Sequence, residues 1–248
     1  MRGFRFDEDY HVHSTFSDDA VSSPEENVAA AVRAGLATVC LVDHVRADTA
    51  WVPRQVATVR ELARRAPLTV LSGVEAKILD ADGHLDLPAD AHAADLVLIA
   101  DHQFPSESGP LSPSTVATML HNRELRPGDV VVRLVEATVA AMQRVERPVI
   151  AHPFSLLPKL GLDESHVSDT LLYHLAMGAR ATGALVEVNE KWDCPGPRLV
   201  AALARSGVHL VAGSDSHHCD SVGSYPRVTT TLDAADGVPR NREPARTP

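Results

Sequence analysis

The chain has 248 residues, 44% of them hydrophobic and 23% charged; this is the balance of an ordinary globular protein, long enough for one α/β barrel or two small domains. Its formal net charge of -10 would repel a long polyanion, so no long nucleic acid is expected as a partner, whereas a small phosphorylated metabolite is compatible because bound cations can supply local positive charge. No apolar run approaches the roughly 20 residues of a membrane-spanning helix, and residues 1–6 pass directly into Asp7-Glu8-Asp9 without the apolar stretch of a secretory signal, so no membrane partner and a cytoplasmic location are expected.

The first strand is expected around Asp9-Tyr10-His11-Val12-His13-Ser14. Period-two geometry sends His11 and His13 to one face and Val12 to the other. Two imidazoles on one fixed bite are a common way to hold a first-row metal. Ser22-Ser23-Pro24-Glu25-Glu26 then starts a helix: Ser23 caps it, Pro24 suits its first turn and the glutamates complement its dipole, and the helix ends at Gly35. Residues 37–42 are almost wholly apolar, as in a strand buried on both faces, and lead into Asp43-His44. A helix over 52–65 and a strand over 68–75, ending at Glu75, repeat the βα rhythm.

Residues 79–88 carry turn residues and read as an irregular excursion. The strand at 94–100 closes on Asp101-His102. Residues 103–127, rich in Pro, Ser and Gly, are predicted to form a long loop with a short helix near 114–122, lying over the site. A helix over 128–144 precedes a strand at 147–151 that ends at His152-Pro153. A helix over 167–180, a strand at 184–189 ending on Asn189, a helix over 197–206 and a strand at 208–213 follow, the last delivering Ser214-Asp215-Ser216-His217. A last weak strand is expected at 227–231, and a disordered tail at 233–248. Nothing splits residues 1–232 into two domains. The three cysteines, Cys40, Cys194 and Cys219, form no CxxC and are expected to be reduced.

One strand after another thus finishes in His, Asp, Glu or Asn. In a parallel α/β barrel the carboxyl ends of the strands converge on one mouth, so these residues would meet there. The set exceeds what one zinc needs and suits two or three divalent metals (zinc, manganese or iron). A bridging carboxylate such as Glu75 or Asp215 would hold two cations at the separation that in-line attack on phosphorus requires. The remaining histidines fall in predicted loops or helices, or near a strand start, and show no convergence; His121, on the long loop, could approach a substrate.

Asp9-Tyr-His-Val-His-Ser with Phe16-Ser-Asp18 and Pro24-Glu-Glu, then Val42-Asp-His44, Gly73-Val-Glu75, Asp101-His102, Ala151-His-Pro153 and Gly213-Ser-Asp-Ser-His217 together resemble the four-motif pattern of the polymerase and histidinol phosphatase (PHP) superfamily. The resemblance implies a distorted (βα)7 TIM-like barrel with a trinuclear metal centre. It implies His11, His13, Glu75 and Asp215 on one metal, Glu75 bridging to a second held by His102 and His152, and Asp18, His44 and His217 on the third. The turn at 83–88 and the run Glu187-Val-Asn-Glu-Lys-Trp192 look most like the stand-alone phosphatase branch.

The expected activity is metal-dependent hydrolysis of a small phosphomonoester, resembling histidinol phosphate or a nucleotide, by a metal-bridging hydroxide. In that scheme Asp215 accepts the water's proton and His217 orients or protonates, while Asn189, Lys191 and Arg227 are candidates for contacting substrate. The alternatives are an exonuclease that trims oligonucleotides, a non-catalytic metal-stabilised interaction barrel and a carbon-nitrogen hydrolase. The sequence assigns neither substrate identity nor oligomeric state.

Overall fold

The computed structural model describes residues 4–239. Elements β1 (Glu8–Val12), α1 (Pro24–Arg33), β2 (Thr38–His44), α2 (Val52–Ala63), β3 (Thr69–Lys77) and β4 (Leu96–Ala100) alternate in chain order. A two-stranded antiparallel hairpin, β5 (Phe104–Ser106) and β6 (Gly109–Leu111), comes next, followed by α3 (Pro113–His121). Then come α4 (Pro127–Met142), β7 (Pro148–Ile150), α5 (Asp169–Thr182), β8 (Leu185–Asn189), α6 (Pro197–Arg205), β9 (Leu210–Gly213) and α7 (Pro226–Asp236).

Seven strands form one parallel sheet in the order β1-β2-β3-β4-β7-β8-β9. The ends of the sheet meet: Val12 bridges Ser216 in parallel, and His13 N donates to Ser216 O at 2.8 Å. The Asp9 carboxylate seals the same seam, accepting from the backbone N of Ser214 at 2.9 Å and of Gly223 at 3.0 Å. The result is a distorted (βα)7 barrel, as expected.

Alternation along each strand builds two packed layers. On β2, Val39 and Leu41 pack outward with Val28 and Ala31 of α1 and Val59 of α2, while Cys40 and Val42 turn inward to meet Leu98, Val149 and Val211. Inward parity continues up the strands: Gly73 leads to Glu75, Leu98 to His102, Val211 to Asp215. The register of β1 on β2 slips between Asp9 and Val12. Tyr10 accordingly packs with the inner cluster and Val12 with the outer one.

Helix α1 begins with a full capping box, in which Ser23 accepts from Glu26 N and Glu26 returns the bond to Ser23 N. Two segments differ from expectation. Residues 227–231 lie within helix α7, not a strand: Val228, Thr231, Leu232 and Ala235 repeat at helical spacing and are the buried face, and the closed sheet offers a strand there no partner. That helix also orders 233–236, the start of the expected disordered tail; residues 240–248 of the tail lie outside the described residues. The 103–127 segment contains the predicted short helix together with an unpredicted hairpin, and its Gln103 and Pro113 line the mouth of the barrel.

Candidate metal centre

The carboxylate of Glu75 stands at the centre of the barrel mouth. Its Oε1 lies 2.8 Å from His152 Nε2 and 3.2 Å from His102 Nε2. Its Oε2 lies 2.7 Å from His44 Nδ1, 3.5 Å from His11 Nε2 and 3.6 Å from His13 Nε2, yet none of these contacts is angled as a hydrogen bond. Beside it, Asp215 Oδ1 is 3.4 Å from His13 Nε2, 3.4 Å from His217 Nδ1 and 3.3 Å from Lys191 Nζ. His11 and His13 point their Nε2 atoms at one another, 3.0 Å apart.

Two of these residues hold unusual backbone conformations. His152 has φ +30° and Asp215 has φ +52°, a region that costs a non-glycine residue about 1–3 kcal/mol and persists where surroundings impose it. For His152 the imposed turn breaks the strand alternation after Ala151, which packs with the inner cluster, and still directs the imidazole inward.

Surrounding carboxylates hold the ring of residues in place. Asp43 accepts from both the backbone N and the hydroxyl of Ser14 at 2.8 Å and from the Ser17 hydroxyl at 2.8 Å, which ties the His13 loop to β2. Asp101 accepts from Ser155 Oγ at 2.5 Å and lies 3.5 Å from His152 Nδ1. Asp43 thus supports the loop that carries His13, and Asp101, whose approach to His152 Nδ1 is not a hydrogen bond, supports the turn after His152 through Ser155 and the backbone N of Leu156. Position at a strand end does not by itself separate the supporting carboxylate from the adjacent histidine; the family resemblance does, since it assigns His44 and His102 and not Asp43 and Asp101 to the metals.

The charge balance fits divalent cations. Burial opposes charge on Glu75, but His102 and His11 outweigh it and hold the carboxyl well below its usual range. Burial also opposes charge on Asp215, and His11 and His13 overcome it in the same direction. Burial disfavours a charged His152, but Asp101 and Glu75 push it up to about 10. His11 is likewise raised by Glu187 and Glu75 against its burial. Only His13 goes the other way: burial brings it down to about 3, so it stays neutral. Protons on His11 and His152 thus balance the buried carboxylates, the role that a cation bound at those nitrogens would take over. Glu75 Oε2, which accepts no hydrogen bond, and the facing His11 and His13 nitrogens are the donor set such ions need.

The other expected site residues divide. His44 and His217 meet a carboxylate, but it is Asp19's, with Oδ2 3.4 Å from His44 Nε2 and 3.2 Å from His217 Nε2. Asp18, expected there, is exposed on the cavity wall. Nothing in the local sequence distinguishes the two; the turn after Ser17 decides it. Lys191 lines the cavity, with Nζ also 3.2 Å from His217 Nδ1. Asn189 does not: it is buried, its Nδ2 donating to Glu187 Oε1 at 2.9 Å and its Oδ1 accepting from Trp192 N at 2.8 Å. Arg227 is also outside the cavity, donating through Nη1 to the Lys191 carbonyl at 3.1 Å.

Above the centre opens a cavity of about 460 Å³, whose walls include Arg46, Lys77, Lys191 and Trp192. The Trp192 ring centroid is 6.2 Å from that of His152, and Lys159 Nζ sits 4.0 Å from the indole centroid. Arg46 and Lys77 were not singled out from the sequence, and Trp192 was read only as the end of a motif and given no role; their place on the wall depends on strands β2, β3 and β8 coming together.

Known proteins share this architecture. A "Probable phosphatase" of Caldanaerobacter subterraneus subsp. tengcongensis is 25% identical over 247 residues, covering 91% of this chain and 82% of that protein. A "Probable phosphatase" of Shewanella oneidensis is 27% identical over 246 residues, covering 97% and 87%. Among solved structures, histidinol phosphate phosphatase from Lactococcus lactis, complexed with zinc, L-histidinol and phosphate, superposes with a TM-score of 0.66 at 16% identity, covering 92% of this chain and 93% of that one. The profile of the PHP domain matches residues 9–137, just over half of the chain and the part that supplies His11, His13, His44, Glu75 and His102. With that match and the ring of imidazoles its motifs build, the chain belongs to the PHP domain family.

Proposed function

We propose that the protein is a metal-dependent phosphatase that hydrolyses a small phosphomonoester, with two or three divalent cations held by His11, His13, His44, Glu75, His102, His152, Asp215 and His217, and with Asp19 in place of Asp18 beside His44 and His217. The observation that carries the reading is Glu75, whose two oxygens divide five imidazoles between them. The relatives called phosphatases and the superposable histidinol phosphate phosphatase support the choice of phosphorus over carbon as the centre attacked. Zinc suits the imidazole-rich set, while the oxygen of Asp19 also accommodates manganese or iron.

Bound at these residues, the cations supply Lewis acidity to the phosphoryl oxygens and acidify a water at neutral pH. The chain does the rest. Asp215 Oδ1, between His13, His217 and Lys191, takes the proton of the attacking water. His217, whose Nε2 faces Asp19 and would hold a cation there, orients the site through Nδ1, 3.0 Å from the Asp215 carbonyl oxygen, and the departing alkoxide takes its proton from solvent in the open cavity. Lys191 Nζ, on the wall and half exposed, binds a non-bridging phosphoryl oxygen. A cavity of about 460 Å³ takes a metabolite rather than a polymer strand.

The test is metal analysis of the purified protein joined to phosphate-release assays on histidinol phosphate, nucleoside monophosphates and a short single strand. Glu75→Gln removes the carboxylate that five imidazoles share and is expected to lower kcat by ~10³-fold with loss of bound metal, since Lewis acidity at phosphorus is worth several kcal/mol. Full activity with normal metal content in that variant, or preferred hydrolysis of the strand, would overturn the reading.

A further inference from the structure

Glu187, in the middle of β8, is fully buried and has no part in the chemistry above. Its Oε1 lies 3.0 Å from His11 Nδ1 and 2.9 Å from Asn189 Nδ2, and its Oε2 lies 2.6 Å from the backbone N of His152. A carboxylate only accepts hydrogen bonds, so all three neighbours donate. His11 is thereby fixed with its proton on Nδ1, and its Nε2 becomes the atom free to face His13 Nε2 at 3.0 Å and Glu75 Oε2 at 3.5 Å. The other oxygen grips His152 by the N–H of a residue whose φ is +30°. Space for this arrangement comes from the next strand, where a β-carbon on Gly213 would stand 1.7 Å from Glu187 Oε1.

We infer that Glu187 is a positioning residue: one carboxylate, from β8, couples His11 on β1 to His152 after β7 and presets both imidazoles for the cations, an inference that rests on the metal reading of the site. Partners of this kind orient metal-binding histidines and raise their basicity. A carboxamide cannot stand in, because it offers one accepting oxygen and an NH2 group that meets a donor on the other side. His11 and His152 are 141 positions apart in the chain, and no hydrogen bond joins them directly among the described residues; Glu187 hydrogen-bonds to both, whereas Glu75 hydrogen-bonds to His152 and lies 3.5 Å from His11.

Zinc titration of the full chain against a chromophoric chelator tests this in the wild type, Glu187→Gln and Glu187→Asp, with thermal unfolding of each metal-stripped protein alongside. Imidazole-selective NMR of the zinc-loaded proteins follows the Nδ1 proton of His11. In Glu187→Gln the tightest zinc is expected to bind about 10- to 100-fold more weakly, and the His11 Nδ1 proton to exchange faster with water. Glu187→Asp keeps the charge but withdraws the oxygens by one methylene, and is expected to weaken zinc similarly, which marks position rather than charge as the cause. Zinc affinity and proton exchange like the wild type's in both variants would overturn the inference while leaving the metal reading intact. So would a lower melting temperature of the stripped variants with unchanged zinc affinity in their folded fraction. A wild-type chain that takes up no zinc, manganese or iron would overturn the metal reading, and this inference with it.

Discussion

Asp18 and Asp19 are chemically identical neighbours, and the chain turn after Ser17 brings only Asp19 within 3.4 Å of both His44 and His217. Asp19→Asn is therefore expected to lower metal occupancy at those two imidazoles and to cut kcat, while Asp18→Asn changes either by less than about twofold; metal content per chain and turnover of the same phosphoester separate them. The pH dependence is set by His152, which carboxylates raise to about 10 against burial. A histidine raised in the folded state contributes stability that is fully present below its ordinary value near 6.5 and lost as pH climbs through its folded value. The metal-stripped protein should accordingly lose stability between about pH 6.5 and 10. Metal uptake requires that same proton to leave, so zinc affinity should rise with pH over this window, with protons released to the buffer. Calorimetry in buffers of different ionisation enthalpy reads the proton release directly, and an affinity flat with pH would contradict this account.

The helices and strands were mostly legible because each satisfies a local rule. The Ser23 capping box, the apolar runs of β2 and β4 and the polar residue after each strand are contained in a few neighbouring positions. Helix α7 shows the limit of local reading: β-branched Val228, Thr229, Thr230 and Thr231 suggest a strand, and tertiary packing overrides that preference. Its buried face includes Leu232, 4% exposed. Leu232→Ala is expected to destabilise the fold by about 3 kcal/mol, measured by urea denaturation; an effect under about 0.5 kcal/mol, typical of surface positions, would mean the helix does not pack as described.

The whole molecule depends on a seam between its first and last strands. Asp9 stitches it through Ser214 N and Gly223 N, and its own oxygen also accepts from His11 N at 3.3 Å. Burial pushes this carboxyl up to about 6 despite those bonds, so the seam is made at a cost in desolvation. Truncating it leaves the buried N–H groups without a partner. Asp9→Ala is expected to lose ~3 kcal/mol of stability and to loosen metal retention, because His11 on β1 and His13 just after it face Asp215 just beyond β9 only while the barrel is closed. Chemical denaturation and metal content of the variant check both.

By itself the sequence determined the order and direction of the barrel strands and the set of imidazoles at their ends, because strand periodicity, capping and turn chemistry act over a few residues. Which carboxylate does what was decided only by the tertiary structure. Glu75 sits among five imidazoles, Asp43 and Asp101 support the turns beside them, Glu187 joins two distant histidines, and Asn189 and Arg227 bond to other protein groups instead of lining the cavity. A carboxylate's role is fixed by the donors that face it, and here those donors come from strands far apart in the chain, which meet only when the sheet closes.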